Sequence, residues 1–346
     1  MPHQFIKFFV LVFVVALGAS LLLVPLARAL GRRLGFIDQP RPGEVQRRPI
    51  ARTGGYAILA AFALALLVTL PGFPRFPSEY HHLLGFGLGA LAIVPLALLD
   101  DWRRLGPLPQ FFGQIVVAAI AMSFGVLITN VANPFGGLIS FPLALAIPIT
   151  LFWYLGMINT LNFLDTMDGL TAGVTLIAAG ALFLRTLDLG QYSIALLPLA
   201  LVGVCLGFLP YNLPPARVFM GTSGSMFLGY ALATLAIIGG AKVGTTLMVL
   251  GVPIVDTALV IAQRTLAGRS PFQGGDGAHL PHRMLAIGLR QPRVVLSLYT
   301  LTLVLAYLAW SLHGVVKLYA LGATVLALAA ILAVIAYRAQ VGHKPL

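Results

Sequence analysis

Charge is scarce in this sequence. Asp, Glu, Lys and Arg make up 9% of the 346 residues, whereas hydrophobic residues make up 59%. A soluble domain is typically about one-quarter charged, so the composition excludes an ordinary water-soluble fold. Apolar runs near the ~20 residues that a helix needs to cross a bilayer recur along the chain. The sequence therefore predicts an all-α, polytopic integral membrane helical bundle.

Cysteine is nearly absent as well. Cys205 is the single one, which excludes an intramolecular disulfide. The first apolar run does not resemble a cleaved signal, because it is long, lacks a basic start and is followed by its arginines.

Hydropathy predicts about eleven transmembrane helices. Their approximate ranges are 5–27, 54–70, 81–99, 110–128, 141–158, 169–187, 192–210, 224–241, 245–262, 294–312 and 317–337. Several connections are short, so residues 1–346 are expected to form a single transmembrane domain.

Acidic residues are fewer than basic ones, and the net charge is +12. The placement of the charges favours membrane topology over nucleic-acid binding. Of the 22 Lys and Arg, 17 lie in alternate loops or the C-terminal tail. The positive-inside rule then places the N-terminus outside and the C-terminus in the cytoplasm. The predicted cytoplasmic loops are 28–53, 100–109, 159–168, 211–223 and 263–293.

Most of the acidic residues share these loops with the arginines. Topology alone explains many of the arginines, but carboxylates beside them at one membrane surface indicate a metal and phosphate site. Seven of the ten acids lie there: Asp38, Glu44, Asp100, Asp101, Asp165, Asp168 and Asp276.

The stretch "LLDDWRRLGP" ends the third predicted span with Asp100 and Asp101. Adjacent helical side chains point about 100° apart, so one carboxylate could face a metal while the other meets a substrate proton. The alternative is a solvated helix end paired with Arg103 and Arg104.

The stretch "NTLNFLDTMDGLTAG" carries an amide and carboxylate ladder at every third position: Asn159, Asn162, Asp165 and Asp168. Neighbours at this spacing share a helix face, although the line would be straighter in a 3₁₀ turn. Burial of such groups requires partners, which favours a ligand cradle over a purely structural ladder.

Two further stretches carry polar residues that suit an anionic ligand. "VFMGTSGSMF", residues 218–227, is interpreted as a small-residue loop that could wrap a phosphate. "RTLAGRSPFQGGDGAHLPHRML" brings His279, His282 and Arg283 together, and these groups suit a diphosphate. Attraction of this basic loop to anionic lipid is the alternative.

Asp256 lies inside the span "VPIVDTALVIAQR". An ionisable group at that depth is a functional hypothesis, and a structural acid bonded to hydroxyls such as Thr257 is the equal alternative. Pro253 is expected to kink this span.

Together these segments resemble the polyprenyl-phosphate N-acetylhexosamine-1-phosphate transferase family. The acidic pair, the "NxxNxxDxxDG" ladder and "PFxxxDxxHxxHR" occur in family order over nearly the whole chain. The histidine loop resembles the undecaprenyl-phosphate N-acetylglucosaminyl 1-phosphate transferase branch. The resemblance implies transfer of a sugar 1-phosphate from a UDP-sugar to a membrane polyprenyl phosphate, with release of UMP.

The resemblance also implies roles for individual residues. Catalysis falls to Asp100, Asp101 and Asp165, and binding of Mg²⁺ (or Mn²⁺) to these three and Asp168. Nucleotide binding falls to Asn162, Asp168, Asn212 and Phe219, with Phe219 stacking on uracil. Phosphate and sugar binding falls to Arg48, Arg52, Thr222, Ser223, His279, His282 and Arg283.

The chain departs from the family pattern at several of these positions. Thr222 stands where a metal-binding aspartate is expected, and a neutral hydroxyl is a weak ligand for Mg²⁺. Other departures are Gln46, Ala51, Gly277 and Pro281. Because the four aspartates are all present, an altered but working site is expected.

These features are compatible with three functional hypotheses. A multi-pass transferase of the plasma membrane, with its active site at the cytoplasmic face, is the leading one. A silent homologue that binds nucleotide or lipid phosphate is the second, and a transporter the third. A homodimer is left open, and no nucleic-acid partner is expected.

Overall fold

The computed structural model describes residues 3–40, 48–69, 73, 75–103, 105–238, 240, 242–270 and 277–341. Helices account for most of them, as the composition predicted. They are α1 (His3–Leu34), α2 (Gly54–Thr69), α3 (Pro77–Arg103), α4 (Pro107–Ser123), α5 (Leu143–Leu164), α6 (Leu170–Asp188), α7 (Tyr192–Asn212), α8 (Gly221–Ile237), α9 (Val243–Val249), α10 (Gly251–Leu266), α11 (Leu280–Ala286), α12 (Gln291–Ser311) and α13 (Gly314–Val341).

Seven of the described helices are long and apolar enough to cross a membrane, or eight if a bent pair counts as one span. The all-helical, multi-pass membrane class is therefore confirmed, but the length criterion supports fewer than eleven spans. Three shorter apolar helices, α2, α4 and α8, coincide with three of the remaining predicted spans.

The predicted cytoplasmic loops are largely helix ends. Residues 28–34 belong to α1, 100–103 to α3, 159–164 to α5 and 221–223 to α8. A hydropathy profile ends a span where polar side chains begin. The backbone hydrogen bonds of a helix continue past that point, so these helices extend beyond the ends of the predicted spans.

Helix α8 forms the centre of the bundle. Every residue from Gly221 to Ile237 is buried, as expected for a helix that is apolar on all sides. Tyr230 in its middle stacks on Tyr154 of α5 and Phe86 of α3, with ring centroids 5.5 Å and 5.6 Å apart. Peripheral helices instead expose leucines, such as Leu22 of α1, consistent with a lipid-facing surface.

Two small antiparallel sheets lie at opposite ends of the bundle. Strands β1 (Ile37–Asp38) and β2 (Ile50–Ala51) pair after α1, and β3 (Asn130–Ala132) and β4 (Leu138–Ser140) form a hairpin between α4 and α5. Ala51 also bridges to Val218 in parallel. This bridge holds residues 50–52 against the segment that leads into α8.

The span that contains Pro253 is broken rather than kinked at the proline. Helices α9 and α10 meet at Leu250 with a bend of 77°. Pro253 lies in the first turn of α10, where its missing N–H has no intrahelical partner to lose.

Candidate active site

The adjacent aspartates at the end of α3 contact different groups. Asp100 is buried and accepts hydrogen bonds from the Thr222 hydroxyl at 2.6 Å and from Gln110 Nε2 at 2.7 Å. Asp101 accepts the Tyr56 hydroxyl at 2.8 Å. The two side chains point in different directions because adjacent residues of a helix are about 100° apart. Asp100 is buried, so the alternative of a solvated helix end is wrong for this residue.

Asp101 has one oxygen that is incompletely satisfied. Its Oδ1 is buried without a hydrogen bond in the described part of the chain, and Arg52 Nη2 lies 3.8 Å away. This arrangement leaves a buried carboxylate oxygen that a closer cation would stabilise.

The predicted ladder of amides and carboxylates does not follow one helix face. Asn159 and Asn162 lie in α5, Asp165 caps its C-terminus, and Asp168 lies in the turn before α6. Asn159 donates to Gln114 of α4 at 2.7 Å, and Asn162 accepts the Ser225 hydroxyl of α8 at 2.9 Å. These four residues therefore lie where α5 meets α4, α8 and the turn before α6, and they do not form a line along one helix face.

Burial disfavours the ionised form of the two carboxylates beyond α5, Asp165 and Asp168. Burial raises the pKa of Asp165 to about 7, and the Asp168 charge adds to this while Arg52 opposes it. Burial also raises the pKa of Asp168, although its Oδ2 accepts the Ala216 N–H at 2.9 Å. Near neutral pH, Asp165 is thus poised between its neutral and ionised forms.

The stretch interpreted as a small-residue loop begins a helix instead. Gly221, with φ of +67°, starts α8, and Thr222 and Ser223 are buried in its first turn. The starts of α2 and α8 are packed so closely that a Cβ on Gly55 would meet the Ser223 Oγ at 2.5 Å. Small residues are needed here because two helix N-termini approach each other.

A cavity of about 760 Å³ is lined in part by Ile50 of strand β2. Two residues predicted to bind nucleotide, Asp168 and Phe219, line it. Four arginines also line it: Arg28, Arg32, Arg48 and Arg217. The Arg28 Nε is buried and has no hydrogen-bond partner among the described residues. The cavity therefore combines an aromatic face with an excess of positive charge.

Asn212 is buried and does not line this cavity. Its Oδ1 accepts the Gly169 N–H at 3.0 Å, and its Nδ2 donates to the Val218 carbonyl at 2.9 Å. The amide thus ties the turn that carries Asp168 to the segment that carries Phe219.

The residues of the histidine loop are divided between two environments. His279 is buried, and its ring centroid lies 5.6 Å from that of Phe163, which precedes Asp165 by two residues. Arg283 instead donates to Gln263 of α10 at 2.7 Å in an exposed contact. His282 is half-buried in the first turns of α11. Glu44, Gln46, Arg104 and Asp276 lie outside the described residues.

Several residues of the site were missed in the sequence. Gln110 and Gln114 are four residues apart in an apolar helix, and this spacing on one face was a usable signal. Tyr56 carried no such signal, Arg28 and Arg32 were interpreted only as part of a basic loop, and Ser225 was noted only as part of the small-residue stretch. Their relevance depends on which helices pack together.

Within the described residues, three or more His, Cys, Asp or Glu side chains do not converge in a geometry that would hold a metal by themselves. The site instead combines single carboxylates from α3 and the α5–α6 turn. Arg52 interacts with Asp101 and with Asp165, and Asp168 lines the neighbouring arginine-rich cavity.

Comparison with known proteins gives matches over most of the chain. Residues 83–240 match the family described as glycosyl transferase family 4. The probable undecaprenyl-phosphate N-acetylglucosaminyl 1-phosphate transferase of Bacillus subtilis is 33% identical over 297 residues, 84% of this chain and 81% of the relative. The decaprenyl-phosphate N-acetylglucosaminephosphotransferase of Mycobacterium tuberculosis is 34% identical over 301 residues, 79% of this chain and 74% of the relative. The phospho-N-acetylmuramoyl-pentapeptide-transferase of Bacillus subtilis is 32% identical over 325 residues, 86% and 96% of the two chains.

Proposed function

Because the chain belongs to glycosyl transferase family 4, as its motifs predicted, we propose that it transfers a sugar 1-phosphate to a polyprenyl phosphate. The donor is a UDP-sugar, with N-acetylglucosamine as the expected sugar, and UMP is released. Transfer of this kind would start assembly of a cell-envelope polysaccharide. The observation that carries the proposal is the position of the carboxylate cluster beside a cavity that holds Phe219, Asp168 and four arginines.

The membrane arrangement that we propose has eleven spans in one domain, with the N-terminus outside. The seven long helices, the bent pair and the three shorter apolar helices supply these spans. The carboxylate cluster would then lie at the cytoplasmic face of the plasma membrane. This position suits an acceptor whose phosphate stays at the membrane surface while its chain stays in the lipid.

A divalent metal fits the residues of the cluster. Asp101 offers a buried oxygen without a hydrogen bond, and burial raises the pKa of Asp165 to about 7, so that both carboxyls would gain from a cation. Mg²⁺ typically uses one or two protein carboxylates together with substrate phosphates and water, so a larger cage of protein ligands is not required. When bound, Mg²⁺ or Mn²⁺ would neutralise negative charge on the diphosphate of the donor.

Asp100 is less available as a metal ligand. Both of its oxygens already accept hydrogen bonds, from Thr222 and Gln110. Thr222 thus satisfies a neighbouring carboxylate at the position where the family carries another. We infer that the metal is held mainly by Asp101 and Asp165 together with substrate phosphates and water, and that Asp100 orders the site.

The nucleotide is proposed to occupy the arginine-lined cavity. The base would stack on Phe219, and Asp168 would accept a hydrogen bond from its ring N–H. The arginines Arg48 and Arg217 would contact anionic oxygens of the diphosphate. Asn212 contributes by fixing the distance between the Asp168 turn and Phe219.

In the reaction, an oxygen of the lipid phosphate forms a bond to the β-phosphorus of the donor. The bond from this phosphorus to the oxygen that bridges to the α-phosphate breaks, and UMP leaves with that oxygen. Asp100 or Asp101 accepts a proton from the lipid phosphate if it carries one. A two-step route through an aspartyl intermediate balances equally well.

The proposed function is tested with purified protein, Mg²⁺, undecaprenyl phosphate and a panel of UDP-sugars. UMP release that requires both substrates, with UDP-N-acetylglucosamine preferred, supports the proposal. Tight binding of nucleotide without turnover would assign the silent-homologue function that Thr222 suggests. A transporter is disfavoured because seven of the ten acids lie in the loops proposed to be cytoplasmic, and Asp256 is the one acid placed within a span.

A further inference from the structure

The one acid placed within a span by the sequence, Asp256, has a specific pair of partners. It is buried in α10, two turns after the break at Leu250. Its Oδ2 lies 2.8 Å from His279 Nδ1, and its Oδ1 accepts the Leu280 N–H at 2.8 Å. Both carboxylate oxygens are therefore directed at the start of α11, and not at the Thr257 hydroxyl that was the alternative partner.

The bond to Leu280 anchors a helix that would not be stable alone. Helix α11 has seven residues, too few for an isolated helix in water. His279 occupies its N-cap position without a capping hydrogen bond from its own side chain. The Asp256 carboxylate supplies that cap from α10, so the position of α11 depends on this residue.

The bond to His279 fixes which ring nitrogen can meet a ligand. An ionised carboxylate only accepts hydrogen bonds, so Nδ1 carries the hydrogen and Nε2 is the nitrogen left for another group. The ring centroid also lies 5.6 Å from that of Phe163, which follows Asn162 and precedes Asp165 by two residues in the sequence. The contacts therefore fix both the tautomer and the location of the imidazole.

We propose that Asp256 is a positioning residue that acts through His279. It holds the imidazole with Nδ1–H toward α10, and it stabilises the ring when Nε2–H donates to an oxygen of the donor's diphosphate. The carboxylate accepts the hydrogen bond from Nδ1–H, and an oxygen of the diphosphate would accept the one from Nε2–H. This inference rests on the proposed function, because it takes the diphosphate of the donor as the ligand.

The test compares Asp256→Asn with a matched change at the other end of the bundle, Asp188→Asn. The amide introduced by Asp256→Asn can still accept the Leu280 N–H, but its NH₂ group faces Nδ1 and so favours the tautomer with hydrogen on Nε2. For a histidine that binds a metal, loss of the carboxylate behind the ring typically costs about 10- to 100-fold, and we expect the same order for a histidine that binds a diphosphate. We expect a loss of this size in kcat/KM for Asp256→Asn and none for Asp188→Asn, because Asp188 accepts a hydrogen bond from Trp310 far from the candidate site.

Two further measurements separate positioning from mere support of the fold. The ¹⁵N spectrum of histidine-labelled protein, with His279→Gln used to assign the signal, should show hydrogen on Nδ1 in wild type and its loss in Asp256→Asn. The double variant Asp256→Asn/His279→Gln should be no slower than His279→Gln alone. An unchanged tautomer, or a loss that simply adds to that of His279→Gln, would overturn the proposal.

Failure of the proposed function gives a different result. If wild type transfers none of the UDP-sugars, inorganic pyrophosphate with Mg²⁺ serves as the probe of the same ring. A shift of the His279 Nε2 signal on its addition, absent in Asp256→Asn, supports the positioning role without any turnover. No shift in wild type overturns it.

Discussion

At the end of the bundle that carries the candidate site, acids meet groups from several helices. Asp100 bonds to Thr222 of α8 and Gln110 of α4, and Asp101 bonds to Tyr56 of α2. At the opposite end, Glu79 accepts one hydrogen bond from Ser193, and Asp188 one from Trp310. Convergence of carboxylates from distant segments thus distinguishes the first end.

A buried carboxylate oxygen without a hydrogen bond does not distinguish the two ends, because both ends have one among the described residues. Asp101 Oδ1 is buried without a hydrogen bond among the described residues, but so is Glu79 Oε2 at the opposite end. An unsatisfied oxygen indicates a functional site when further carboxylates and cations lie around it. The comparison of the two ends therefore provides the controls for the experiments below.

The largest effect is expected from neutralising single carboxylates of the cluster. Conversion to Asn of any one of Asp100, Asp101, Asp165 and Asp168 should reduce UMP release to below about one-hundredth of wild type, because charge stabilisation at the reacting phosphates is lost. Asp188→Asn is the matched change at the other end and should retain normal activity. Near-normal turnover in all four variants would remove this cluster from the reaction.

A smaller effect is expected in the cavity. Phe219→Ala should weaken UMP binding by about 1–3 kcal/mol, the contribution of one base stacked on an aromatic ring. Calorimetric titration with UMP measures it. The exposed Phe135, in the hairpin at the other end, provides the control Phe135→Ala. Equal affinity in both variants would exclude Phe219 from the base site.

Thr222→Asp should change the metal requirement by a few-fold. The new carboxylate would lie against Asp100, which Thr222 now contacts at 2.6 Å, and two adjacent carboxylates repel without a cation. Half-maximal activity should then need less Mg²⁺, and nucleotide binding should become more Mg²⁺-dependent. Thr222→Val keeps the volume and removes the hydroxyl, so it should not show this shift.

A Mg²⁺ titration of UMP release decides between these outcomes. Superimposable curves for wild type and Thr222→Asp would mean that position 222 lies outside the reach of the metal. Activity that appears only in Thr222→Asp would instead identify the natural protein as a silent homologue.

The smallest effect is expected on stability. Burial raises the pKa of Asp165 from 3.8 to about 7, so the neutral form stabilises the fold at low pH and this contribution is lost as pH rises through 7. The amide introduced by Asp165→Asn is neutral at every pH. Without Mg²⁺, the thermal midpoint of Asp165→Asn should exceed that of wild type more at pH 8 than at pH 5, by roughly 2–4 °C for each kcal/mol. An equal difference at both pH values would contradict the raised pKa.

Much of the fold class was predictable from the sequence because hydropathy is a local property. Each predicted span corresponds to a helix or to the bent pair α9 and α10, and the motifs identified the family that the comparisons confirm. The helix ends were not predictable, because polar residues such as Asp100 continue the backbone geometry of an apolar helix. For the same reason, Thr222 and Ser223 appeared to lie in a loop.

The composition by itself determined that this is a membrane protein, and the order of its motifs determined its family. Only the tertiary structure decided which polar groups meet: Thr222 with Asp100 across 122 positions, and Asp256 with His279 across 23. A side chain hidden from water must find its partner in whichever helix packs against it. Its partner is therefore a property of the packing, and the residue type shows only that a partner is needed.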